Sequence, residues 1–207
     1  MIDVIPIHSE NPNKREISRI ADRLRMGEIM IFPTDTVYAL GCLAGNKKGL
    51  ERIIKITGKK EKQTNLSLIC KDLSMASQYT LPINGTTFKA MKRSLPGPFV
   101  FILRANKIVQ KYFKGNKKEI GIRIPENTII ESLLDELDNP LISTSLNKED
   151  LTQPYFIDPH DIARQYEHTV DILIDGGIGD FNESTVVSFV DGTYEVIREG
   201  IGDINLL

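Results

Sequence analysis

No stretch of this 207-residue chain approaches the ~20 consecutive apolar residues that a bilayer-spanning helix requires, which excludes a helical membrane protein. Cysteine is scarce. Only Cys42 and Cys70 occur, each within an apolar stretch, so a disulfide framework is not expected and both read as buried, reduced thiols. Histidine is equally sparse: His8, His160 and His168 lie far apart in sequence, which argues against a histidine-based metal centre or nucleophile. The phosphate-binding GxxxxGK(S/T) loop, a GxGxxG turn opening a helix, and HExxH are all missing. Gly176-Gly177-Ile178-Gly179 reads as a loop rather than a phosphate cradle. The acidic, polar start from Met1 to Glu10 lacks the basic-then-apolar layout of a secretory signal, so a cytoplasmic location is expected.

What is present is ordinary globular composition, 41% hydrophobic and 26% charged, in a chain long enough for one domain with a real core. The net charge of -2 conceals a division. Residues 1–118 carry 22 Lys and Arg against 9 Asp and Glu, whereas residues 119–207 carry 4 against 19. From Leu73 to Lys118 the sequence holds nine basic residues and no acidic one. Clustered cations raise the local concentration of phosphate-bearing partners. The alternative is a solvated face, or pairing in space with the acidic C-terminal part.

Periodicity alternates between helix and strand. Asn13 to Glu28 places Ile17, Ile20, Ala21, Leu24 and Met26 at amphipathic-helix spacing, and Ile29–Phe32 reads as a buried strand stopped by Pro33. Helical pattern follows at about Lys47–Lys55, Leu73–Tyr79, Thr87–Ser94, Lys107–Phe113, Ile129–Leu137 and His160–Gln165. Strands are expected at Leu66–Cys70, Phe99–Leu103, Ile120–Ile124, Leu141–Thr144, Ile172–Ile174, Val186–Val190 and Tyr194–Ile197. This alternation, with no linker and no repeat, predicts an α/β domain over residues 1–207 built on a twisted, mixed sheet.

Three constellations carry chemistry. Pro33-Thr34-Asp35-Thr36-Val37-Tyr38 follows the first buried strand, where ligand loops of α/β proteins gather; alone it is equally a capped turn. Ser143-Thr144-Ser145-Leu146-Asn147 follows another strand and offers neutral donors for phosphate or carboxylate oxygens, or else caps and ST-turns. Ser184-Thr185 and Arg198-Glu199-Gly200 bracket the last two strands. Arg198 either pairs with an acidic neighbour or is kept for an anion, since guanidinium matches phosphate in two-pronged fashion.

In order, PTDTVYALG (Pro33–Gly41), the lysine-rich Thr57–Lys62, PGP (Pro96–Pro98), GIRIP (Gly121–Pro125), STSLN (Ser143–Asn147), STVV (Ser184–Val187) and REG (Arg198–Gly200) resemble the YrdC/YciO-like family across Gly27 to Asp203. The resemblance implies a single twisted α/β domain with a large, positively charged concave surface. Its best-known members are threonylcarbamoyl-AMP synthases, which convert ATP, L-threonine and bicarbonate to threonylcarbamoyl-adenylate and pyrophosphate for the N6-threonylcarbamoyl modification of tRNA adenosine. Double-stranded RNA binding is also ascribed to the family. A nucleotidyltransferase is therefore implied; the alternative is a YciO-like nucleotide- or double-stranded-RNA-binding protein with little or no synthase activity.

The resemblance also implies roles. Thr34, Tyr38, Arg123, Ser184 and Thr185 would hold threonine, with Arg123 on its carboxylate. Ser143, Ser145 and Asn147 would contact the nucleotide, and Lys59 with Arg198 would clamp the triphosphate and carry catalysis. Magnesium would arrive with ATP, with no metal site in the protein. The chain departs from the synthase pattern where Thr57-Gly58-Lys59 stands for a Lys-x-Arg pair, with Lys60 and Lys62 as other cations of that loop. Ala39, Leu146 and Phe99-Val100 are further departures, and together they resemble the YciO-like branch.

Overall fold

The computed structural model describes residues 1–61, 64–113, 117–146 and 157–207. Its strands are β1 (Asp3–Pro6), β2 (Ile29–Phe32), β3 (Ala39–Leu43), β4 (Ser67–Ile69), β5 (Phe99–Arg104), β6 (Glu119–Arg123), β7 (Leu141–Ser145), β8 (Ile172–Asp175), β9 (Thr185–Ser188) and β10 (Glu195–Arg198). They form one mixed, unclosed sheet in the order β1-β8-β2-β3-β7-β4-β6-β5-β9-β10. The expected α/β domain on a twisted, mixed sheet is what is found. Two strands, β1 and β3, were not expected from the sequence.

The helices are α1 (Lys14–Arg25), α2 (Lys47–Thr57), α3 (Leu73–Ser77), α4 (Gly85–Ser94), α5 (Lys107–Tyr112), α6 (Thr128–Glu136) and α7 (Pro159–Tyr166). Each begins on an Asn or Asp whose side-chain oxygen accepts a first-turn backbone N–H: Asn13, Asn46, Asp72, Asn84, Asn106, Asn127 and Asp158. Such a cap is worth about 1 kcal/mol. α2 ends where Gly58 takes a left-handed φ of 65°, a conformation that glycine adopts without steric cost.

Helices cover both faces of the sheet, which explains why β2 is apolar throughout rather than alternating. Met30 and Phe32 pack with Ile17, Ile20 and Leu24 of α1 and Ile129, Leu133 and Leu134 of α6. Ile29 and Ile31 turn to the opposite layer, with Leu50 and Ile53 of α2, Met91 of α4, Val109 of α5 and Ile162 of α7. Cys42 and Cys70 are free thiols within that layer. Burial pushes the Cys42 thiol up to about 12 and raises Cys70 further, so both are inert. Among the described residues no helix is long and apolar enough to cross a membrane.

Candidate functional site

The strand register brings the separate motifs together. β3 lies between β2 and β7, with Ala39 opposite Ser145 and Gly41 opposite Ser143. The loop from Pro33 to Tyr38 therefore leads directly into the strand that borders Ser143–Ser145, and the Leu146 N–H donates to the Tyr38 carbonyl at 2.9 Å. Gly41 has to be small: a Cβ there would sit 2.8 Å from the Ile142 carbonyl and 2.9 Å from the Phe32 ring.

Arg123 ends β6 and is buried. Its Nη2 donates to Asp35 Oδ1 at 2.5 Å, to Thr36 Oγ1 at 2.7 Å and to Thr34 Oγ1 at 2.9 Å. Asp35 Oδ2 also accepts the Glu126 N–H, so one carboxylate ties the β2–β3 loop to the segment after β6. Arg123 Nε is buried with no acceptor. Thr34 and Arg123 are thus neighbours, although 89 residues apart.

Tyr38 is fully buried. Its hydroxyl donates to the Gly177 carbonyl at 2.7 Å and accepts the Gly176 N–H at 3.3 Å, and burial raises its pKa. The Gly176–Gly179 segment is a loop braced by this tyrosine; a Cβ at Gly179 would meet the Tyr38 ring at 2.8 Å.

A cavity of about 1180 Å³ opens where the C-terminal half of α2, the end of β7, α7 and Arg198 of β10 converge. Lys59, Ser145 and Arg198, three positions the sequence assigned to nucleotide, all line it. Arg52, Lys55, Thr57, Asn65, Thr144, Tyr166, His168 and Glu183 line it too. Among the described residues the lining carries four permanent cations, Arg52, Lys55, Lys59 and Arg198, against the single carboxylate of Glu183. Ser143 is not on this wall: it is buried, in register with Gly41 and Ser67. Asn147 and Lys62 lie outside the described residues.

Arg198 is fixed from below. Nη1 pairs with Glu183 at 2.5 Å, while Nε and Nη2 donate to the Ser184 carbonyl at 3.2 and 2.7 Å. Of the two alternatives the sequence left open, the ion pair with an acidic neighbour is present, and Arg198 still faces the cavity. Thr185 Oγ1 donates to the Gly202 carbonyl and accepts the Gly200 N–H, both near 3 Å. Gly200 must lack a side chain, because a Cβ would fall on the Glu183 and Ser184 backbone. The Ser184-Thr185 and Arg198-Glu199-Gly200 motifs therefore lock one another.

On the far wall, Arg52 grips Asp171 through Nη1 to Oδ2 at 2.6 Å and Nη2 to Oδ1 at 3.0 Å. Burial alone would raise the Asp171 carboxyl, but Arg52, the Ile29 N–H and nearby Arg23 outweigh it and hold the pKa below the usual carboxylate value. Sequence reading missed Asp35, Arg52, Lys55, Glu183 and His168 as site neighbours. The one local signal was on α2, where Arg52 and Lys55, three residues apart, share an edge at helical spacing. Among the described residues no group of His, Cys, Asp and Glu is arranged to hold a metal ion.

Comparison with known proteins identifies the family and the fold. Residues 22–200 match the Sua5/yciO/yrdC family, described as Telomere recombination. The chain is 37% identical to the uncharacterized protein YciO of Escherichia coli K12 over 96% of this chain and 95% of that one. The crystal structure of E. coli YciO superimposes with a TM-score of 0.91, covering 100% of this chain and 99% of that chain at 35% identity. A threonylcarbamoyl-AMP synthase of Halorhodospira halophila is 23% identical over 83% of this chain and 88% of its own length. The fold is also that of P. abyssi Sua5 complexed with L-threonine, with a TM-score of 0.86 at 24% identity over 96% of this chain and 57% of that chain. With the domain and nearly its whole length so matched, the chain belongs to the Sua5/YciO/YrdC family, which comprises threonylcarbamoyl-AMP synthases and their YciO-like relatives.

Proposed function

We propose that this protein binds ATP in the cavity and L-threonine at the Thr34–Arg123 end, and forms threonylcarbamoyl-adenylate for tRNA modification. The observation that carries this reading is the convergence of Lys59, Ser145 and Arg198 on one cavity, beside a strand that leads back to Thr34 and Arg123. The named activity of the Halorhodospira relative and the threonine complex of P. abyssi Sua5 support the same substrates.

The chemistry asks little of side chains as acids or bases. The threonine amine and bicarbonate condense to an N-carboxylate with loss of water. One of its oxygens attacks the α-phosphorus, the bond to the bridging oxygen breaks, and pyrophosphate leaves. The nucleophile is already anionic, so positioning and charge screening supply most of the rate. Lys59 and Arg198 screen the phosphates, and the Ser145 hydroxyl donates to them. Ser143 backs the strand beneath, the Ser184 carbonyl holds Arg198, and the Thr185 hydroxyl holds the Gly200 N–H that follows it. Arg123 shares its charge with Asp35, so what it would offer a substrate carboxylate is the Nε N–H, buried without an acceptor, rather than net charge. Tyr38 shapes the loop. Magnesium enters with ATP.

The test is pyrophosphate release by purified protein given ATP, magnesium, L-threonine and bicarbonate. Release that requires all of them supports the reading; release no greater than without protein overturns it. A second reading, nucleotide or double-stranded RNA binding with little synthesis, is favoured by Thr57, whose hydroxyl is spent on the Ile54 carbonyl at 2.8 Å. Thr57→Lys combined with Lys59→Arg separates the two: a marked gain in adenylate formation supports a weakened synthase, and no gain supports the binding role.

A further inference from the structure

The four cations lining the cavity are not equally available. Arg52 is neutralised by its two-pronged contact with Asp171 and also donates to the Thr169 carbonyl at 3.0 Å. Arg198 is neutralised by Glu183, and its remaining nitrogens are held by the Ser184 carbonyl. Lys55 and Lys59 have no ion pair among the described residues, are exposed, and line the same cavity. They flank the end of α2 four residues apart, on either side of Gly58, and Thr57 between them points its hydroxyl back into the helix. A polyanion entering the cavity gains most where positive charge is not already compensated, because an arginine inside a carboxylate pair has little net field to offer.

We infer that the polyphosphate seat is the C-terminal end of α2, and that Lys55 is a phosphate-binding residue that works with Lys59 in place of the cation missing at Thr57. The inference rests on the nucleotide reading above and moves the main anion contact from Arg198 to Lys55 and Lys59. Arg198 remains a wall residue with its charge shared by Glu183. Preference for the number of phosphates follows: a triphosphate spans both lysines, whereas a monophosphate reaches at most one. The competing role for Lys55 is purely structural, since a cation in the last turn of a helix complements its exposed carbonyls. That role predicts a change in stability and none in phosphate affinity.

Dissociation constants of the full chain for ATP, AMP and inorganic tripolyphosphate separate these possibilities, measured by calorimetry for wild type, Lys55→Gln, Lys55→Arg, Lys59→Gln, Arg198→Gln and, as a control at the start of the same helix, Lys48→Gln. Lys55→Gln and Lys59→Gln are each expected to weaken ATP and tripolyphosphate about tenfold and AMP less than about twofold. Lys55→Arg should retain affinity, Lys48→Gln should match wild type, and the unliganded melting temperature should not move. Unchanged triphosphate affinity in Lys55→Gln overturns the inference, as does a larger loss in Arg198→Gln than in either lysine variant. Wild type that binds tripolyphosphate through Lys55 but not ATP refutes the nucleotide reading and leaves the anion seat standing. Wild type that binds neither refutes both.

Discussion

Replacing Asp35 by alanine removes the only carboxylate on Arg123 among the described residues. The Arg123 side chain is 6% exposed and that of Asp35 is 9% exposed, with 2.5 Å between Nη2 and Oδ1. The guanidinium would keep only the Thr34 and Thr36 hydroxyls, on a residue whose Nε is already without an acceptor. Removing one partner of a buried pair costs about 3–5 kcal/mol, because the remaining charge stays desolvated. At roughly 2–4 °C per kcal/mol for a chain of this size, the melting temperature should fall by about 6–20 °C. Asp22→Ala, which breaks the exposed Arg25–Asp22 pair, sets the scale of a surface contact, about 0–1 kcal/mol. Adding Arg123→Met to Asp35→Ala should recover part of the loss by deleting the stranded charge. Scanning calorimetry with urea titration reads all of these. If Asp35→Ala melts with Asp22→Ala, the β2–β3 loop is not held by this pair, and the geometry assigned to the threonine end is wrong.

Two further outcomes follow from burial and charge. Neither Cys42 nor Cys70 should react with a disulfide reagent in the folded protein, and both should react in denaturant; fast labelling of either in native buffer would contradict their placement in the core. The Asp171 carboxyl, held below its ordinary value in the folded state, contributes stability that is present above about pH 4 and is lost as pH falls through the folded value. Asp171→Asn should therefore lower the urea midpoint at pH 7 and flatten its decline toward pH 3, and a decline as steep as wild type would refute that assignment.

The layered fold was readable because its elements announce themselves locally. The Ile29–Phe32 run is apolar and short, and the helices begin on Asn or Asp and carry amphipathic spacing. β3 was not readable: Ala39-Leu40-Gly41-Cys42-Leu43 has no β-branched residue, and its glycine is fixed by the approach of Ile142 and Phe32 from other strands. β1 is four residues long and gains its pairing only from β8, more than 160 positions later. Within the site, the side chains that bear the motifs were visible, but their partners were not. Nothing near Arg123 in sequence points to Asp35, and nothing near Arg198 distinguishes Glu183 from the many other acids of that half. Those contacts exist only once β6, β9 and β10 take their places in the sheet. The lysine-rich loop misled in a simpler way: it drew attention to Lys59 and past Lys55, whose place on the cavity wall depends on the direction in which α2 runs.

The most direct test of the account is a crystal structure of the protein with ATP, magnesium and L-threonine. Triphosphate density is expected between Lys55 and Lys59, with the nucleotide passing Ser145 and the threonine carboxylate at Arg123. Nucleotide bound on any other surface, or a cavity occupied with Lys55, Lys59 and Arg123 all out of contact, would contradict it.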